Sequence, residues 1–88
     1  EVYKMINNAS LKVYPNPIFR NGNLNVEFAL STTAKISIYN VTGKLILNEK
    51  MDNQKSKSFN VSNLNGGIYF LKIDSENSSL TKKIVVLK

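Results

Sequence analysis

The stretch "LNVEFAL" at residues 24–30, followed after "STT" by "AKISIYN" at 34–40, decides the fold class. Leu24, Val26, Phe28 and Leu30 alternate with Asn25 and Glu27, and Ala34, Ile36 and Ile38 alternate with Lys35 and Ser37. A period of two belongs to an antiparallel strand with one face on a core and the other in water. Outward from this stretch the same period recurs. "SFNVSNL" (58–64) sets Phe59 and Val61 against Ser58, Asn60 and Ser62, and "LKVY" (11–14), "KLILNEK" (44–50), "GIYFLKID" (67–74) and "LTKKIVVLK" (80–88) complete the strand candidates. Turn-forming clusters separate them: "NGN" (21–23), "STT" (31–33), "NVTG" (40–43), "DNQ" (52–54), "NLNGG" (63–67) and "ENSS" (76–79). In "NVTG", Asn40 opens a type I turn and Gly43 takes the left-handed position that forms a bulge. Capped helical spacing occurs nowhere. The pattern predicts an all-β fold, a seven-stranded antiparallel β-sandwich of immunoglobulin-like architecture. A five-stranded OB barrel would leave two strands spare.

Composition bounds what such a fold can do. The chain has 88 residues, enough for one domain; at this size about 60% of the unfolded surface is buried, which makes a thin core. It contains neither cysteine nor histidine. That excludes Ser–His and Cys–His nucleophiles, histidine acid–base chemistry and zinc sites of the usual nitrogen and sulfur type. The carboxylates, Glu1, Glu27, Glu49, Asp52, Asp74 and Glu76, are scattered singly on polar strand positions and turns. They read as solvated surface rather than as the facing pair of a glycoside hydrolase. No catalysis, metal or cofactor is expected. The net charge of +6 suits an anionic partner, but the lysines are spread along the chain without interleaved stacking aromatics, so nucleic-acid binding is not expected. No apolar run approaches 18 residues, so no membrane span is expected. Residues 1–10, "EVYKMINNAS", lack periodicity and read as the end of a linker, with the domain over 11–88. With no initiating methionine and no signal peptide, the chain reads as the C-terminal piece of a larger protein.

Both prolines fall in "VYPNP" (13–17). Each fixes φ and removes an amide donor, so the window ends the first strand firmly. Tyr14, Tyr39 and Tyr69 lie in or beside inward registers and are expected to pack in the core. The alternative for these rings is a sugar-stacking platform. The N-x-S/T triplets at Asn8, Asn40, Asn60 and Asn77 are what an Asn- and Ser-rich composition produces.

The order "VYPNP", "GNLNV", "ISIYNVTGKLI", "LNGGIYFLKI" and "TKKIVVLK" closely resembles the type A C-terminal sorting domain of the type IX (Por) secretion system of Bacteroidetes. The resemblance covers residues 11–88. Pro15, Asn16 and Pro17 match the opening motif, and Gly43 and Lys44 the central hairpin. Leu64, Gly66, Gly67, Ile68 and Tyr69 match the "L-x-x-G-x-Y" motif, and Lys82, Lys83, Ile84 and Val85 the terminal strand. "IFRNGN" (18–23) departs mildly, as a longer and more basic loop.

The resemblance implies a non-catalytic address that directs a covalently fused upstream cargo across the outer membrane, to the cell surface or the medium. Its implied partners are the outer-membrane type IX translocon and its shuttle protein, and a sortase-like cysteine peptidase that cuts upstream of residue 11. A carbohydrate-binding or adhesive β-sandwich is the alternative, and it would need two or more coplanar exposed rings. The glycines are expected to act through the fold. The terminal strand, apolar on both faces, is expected to present an uncovered edge for strand addition by the export machinery.

Overall fold

The computed structural model describes residues 11–19, 22–76 and 78–87; the expected linker, residues 1–10, lies outside them. The strands are β1 (Leu11–Tyr14), β2 (Ile18–Phe19), β3 (Asn23–Asn40), β4 (Leu45–Asn60), β5 (Gly67–Ser75) and β6 (Ser79–Leu87). They form one mixed sheet in the order β1-β3-β5-β6-β2, with β4 on β3. All pairings are antiparallel except the short parallel pairing of β2 with β6. The all-β class is as expected, but the described residues form six strands rather than seven.

The difference has a physical cause. "LNVEFAL" and "AKISIYN" are one strand of 18 residues, and "KLILNEK" and "SFNV" are joined into one of 16, because the β3–β4 ladder runs on through "STT" and "DNQ". Those segments have turn chemistry but act as a shared bend. The register shifts between Glu27 and Thr32 and again between Thr32 and Ala34. Asn53 sits at φ 52°, a left-handed conformation that asparagine tolerates. Thr32 Oγ1 donates to the Leu30 carbonyl at 2.8 Å, and the Asn53 amide donates to Thr33 Oγ1 at 2.9 Å. Bulges of this kind bend a strand without ending its pairing.

The bend is sharp. Glu49 and Lys57 lie on the same strand, yet Lys57 Nζ is 3.3 Å from Glu49 Oε1. Eight residues of straight strand would span about 26 Å, beyond the reach of the two side chains. The β3–β4 hairpin therefore folds over into two legs. One carries β1 and the other carries β5, and β6 and β2 follow β5.

A single core cluster joins the legs: Leu11, Leu24, Val26, Phe28 and Phe59 come from the first, and Ile36, Ile38, Leu71, Ile73 and Ile84 from the second. Each such side chain contributes about 1.5–3 kcal/mol on burial. The alternation places these residues as the sequence predicts, with one exception. Leu30 is 58% exposed; it lies within the register shift between Glu27 and Thr32, where the alternation is broken.

Candidate recognition site

β1 and β2 lie at opposite ends of the strand order, and Pro15, Asn16 and Pro17 make the crossing between them. The Tyr14–Pro15 and Asn16–Pro17 peptide bonds are both cis. Asn16 Nδ2 donates to the Lys83 carbonyl at 3.0 Å, and the Val85 amide donates to Asn16 Oδ1 at 3.1 Å. A side-chain carboxamide has the donor and acceptor of a peptide group. Asn16 therefore occupies one position of a neighbouring strand on the outer edge of β6. β2 continues that cover, Ile18 pairing with Val86 and Phe19 with Leu87. Ile18 is fully buried, and Phe19, one residue on, is 67% exposed.

This corrects the expected edge. Between Lys83 and Leu87, β6 is covered by the chain's own N-terminal segment, so no open edge exists there. Sequence reasoning missed the cover because "IF" is only two residues long and its partner lies almost seventy positions away. Lys82 and Ile84 are on the core side, while Lys83 and Val85 are on the opposite face.

Gly43 and Lys44 form the β3–β4 turn as the sequence predicts. Gly43 has φ +89°, and its amide donates to the Asn40 carbonyl at 3.0 Å. Asn40 Oδ1 accepts from the Thr42 amide at 3.0 Å, the Thr42 hydroxyl at 2.7 Å and the Lys44 amide at 2.9 Å. Asn60 does the same for Ser62, at 2.9 Å from the amide and 2.6 Å from the hydroxyl. Two of the N-x-S/T triplets are thus side-chain-capped turns.

In "NLNGGIY", Gly67 takes the positive φ, +150°, and Gly66 does not. Leu64 packs half-buried against the core. Tyr69 is buried, and its hydroxyl donates to the Asn65 carbonyl at 2.8 Å, which pins the turn to the start of β5. Ile68 points to the opposite face and is exposed.

Of the tyrosines expected in the core, only Tyr69 is there. Tyr39 is half-buried on the outer face, and Tyr14 is exposed. The Tyr14 hydroxyl donates to Glu27 Oε1 at 3.0 Å. That hydrogen bond, then the carboxylate's charge and then slight desolvation raise the phenol above its ordinary value. The exposed rings Tyr14, Phe19 and Phe70 are not neighbours in any strand register.

An open cleft of about 570 Å³ gathers Glu49, Asp74 and Glu76 among Lys35 and Lys50. Glu49 is engaged by Lys57, and Asp74 accepts from the Ser79 hydroxyl at 2.8 Å. Among the described residues, no group of acidic residues is placed to hold a metal ion, and no helix is long and apolar enough to cross a membrane.

The family model described as "Secretion system C-terminal sorting domain" matches residues 12–87. A comparison with curated proteins returned no match. The matched span runs from β1 through the last described residue of β6 and takes in every motif placed above. The chain belongs to the family of type IX secretion system C-terminal sorting domains, which serve as signals for export across the outer membrane and are in general non-catalytic.

Proposed function

We propose that this domain carries a covalently attached upstream cargo through the outer-membrane type IX translocon with the help of its shuttle protein. In this reading a sortase-like cysteine peptidase cuts upstream of residue 11, and the cargo is attached at the cell surface. The chemistry belongs to the peptidase, and the domain contributes a docking surface. Pro15, Asn16, Pro17, Gly43, Gly66 and Gly67 act by specifying the fold. The two legs of the β3–β4 hairpin pack as the layers of an immunoglobulin-like sandwich; the hydroxyl-to-backbone tether of Tyr69 is of the kind such sandwiches use.

One observation carries this reading. The family match spans residues 12–87, and the opening motif is hydrogen-bonded to the terminal strand through Asn16. The elements of the signal are thus one folded object. A periplasm-directed reporter bearing residues 1–88 at its C-terminus should reach the surface or medium of a type IX-competent host. A folded, intact fusion held in the periplasm contradicts the reading.

A further inference from the structure

The second leg of the sheet has two faces, and only one is accounted for by the core. Cross-strand partners share a face, so the register assigns the other face row by row. Tyr39, Phe70 and Lys83 form one row across β3, β5 and β6. Ile68 and Val85 form the next, and Leu87 with Phe19 of β2 the one after. Phe70, Ile68, Leu87 and Phe19 are 36%, 43%, 40% and 67% exposed. Single exposed apolar residues need no explanation. A run of them across the neighbouring strands β5, β6 and β2, with half-buried Tyr39 beside it on β3, does, because large contiguous exposed apolar patches mark interaction sites.

Toward the other end of the same face the rows turn polar. Ser37, which is buried, is in register with Lys72 and Thr81, as are the more accessible Lys50, Lys35, Asp74 and Ser79 with one another. With Lys83, these rows carry four lysines against one carboxylate, that of Asp74. The whole chain is +6. A surface that covers this face must be apolar opposite Phe70 and Ile68 and acidic opposite Lys72 and Lys83. We propose that this outer face is the docking surface for the export machinery, and that its partner is a protein surface with an apolar centre and an acidic rim. The proposal rests on the sorting reading above and names the surface through which it works.

Apolar anchors that seat in such an interface carry most of its energy, and the surrounding charges set encounter rate and orientation. The test uses the reporter fusion and the 88-residue chain in parallel. Ile68→Ser combined with Phe70→Ser should lower the exported fraction about tenfold or more, as the loss of central anchors does. Lys72→Glu combined with Lys83→Glu should slow export by a similar factor through charge reversal. Both variants should melt within a few degrees of the parent, since none of the four side chains is in the core. Should the serine pair unfold, Phe19→Ser carries the same test at the most exposed position. Export of the variants at the parent's level overturns the proposal and leaves the sorting reading standing. Failure of the parent fusion itself to be exported overturns both. Co-sedimentation of the chain with phosphatidylglycerol vesicles, abolished by the same substitutions, overturns a protein partner in favour of an anionic lipid surface.

Discussion

Along the outer edge of β6, the Asn16 amide and β2 take the places of a further strand; along β4, 16 residues run with only β3 beside them among the described residues. The open edge is the longer of the two, and it is dressed differently. Glu49, Lys50, Asp52, Lys55 and Lys57 line it, and the Asn53 bend breaks its straightness. Charge and irregularity are what deter edge-to-edge pairing. The β6 edge has hydroxyls at Ser79 and Thr81 but an apolar end at Val85–Leu87, and that end is the part the chain covers. The contrast lies in how each edge is protected. Asn16 and Ile18 close the stretch of edge that charge does not guard.

The largest effect should separate the two edges directly. Ile18 is fully buried under β6, whereas Ile46 on β4 is 37% exposed. Ile18→Ala should cost about 2–5 kcal/mol, as deletions of buried aliphatic groups do. At about 4–8 °C per kcal/mol for a domain of this size, that lowers the melting temperature by about eight degrees or more. Ile46→Ala should stay within about 1 kcal/mol. Equal shifts in thermal denaturation would mean that β2 is no more a seal than any exposed strand position.

Next in size is the carboxamide. Asn16→Ala removes two hydrogen bonds from an exposed site where water competes, so about 1 kcal/mol is expected. The local signature is sharper than the global one. Hydrogen exchange at the Val85 amide should accelerate markedly, while Ile84, whose register partner is Tyr69 on β5, keeps its protection. Unchanged exchange at Val85 would remove Asn16 from the edge.

The smallest effect is on the open edge. The Glu49–Lys57 pair is solvent-accessible, with side chains 45% and 24% exposed. A double-mutant cycle should give about 0.2–1 kcal/mol, shrinking with added salt. A coupling near zero would be compatible with a weak surface pair; a salt-independent coupling of several kcal/mol would show that the bend depends on it.

How much of this was legible in the sequence follows from the range of the interactions. Alternation placed Leu24, Val26, Phe28, Ile36, Ile38 and Phe59 in the core because burial on one face of a strand is a local pattern. The Gly43 turn was legible because its hydrogen bonds span four residues. "STT" and "DNQ" misled because turn chemistry that occurs at matching positions on two paired strands makes a bend, and the pairing is not visible in either segment alone. The cover over β6 was hidden for the same reason at longer range: nothing near Asn16 announces Lys83 and Val85. The outer face was half legible. Ile68, Phe70, Val85 and Leu87 stand in the sequence as apolar residues at polar-face positions, but only the register shows that they adjoin.

If the motif residues work by making the fold, and the export machinery reads a surface of that fold, loss of export and loss of stability come apart at the outer face alone. The decisive measurement is exported fraction and melting temperature together for Asn16→Ala, Gly43→Val, Gly67→Val and the Ile68→Ser/Phe70→Ser pair. Valine at the positive φ of Gly43 or Gly67 should cost about 1–3 kcal/mol. Export by the asparagine and glycine variants should fall in step with their melting temperatures, whereas the serine pair should lose export at nearly parental stability. Loss of export by Asn16→Ala or Gly67→Val at an unchanged melting temperature, with the serine pair exported normally, would contradict reading through the outer face and make the motif residues themselves the contact.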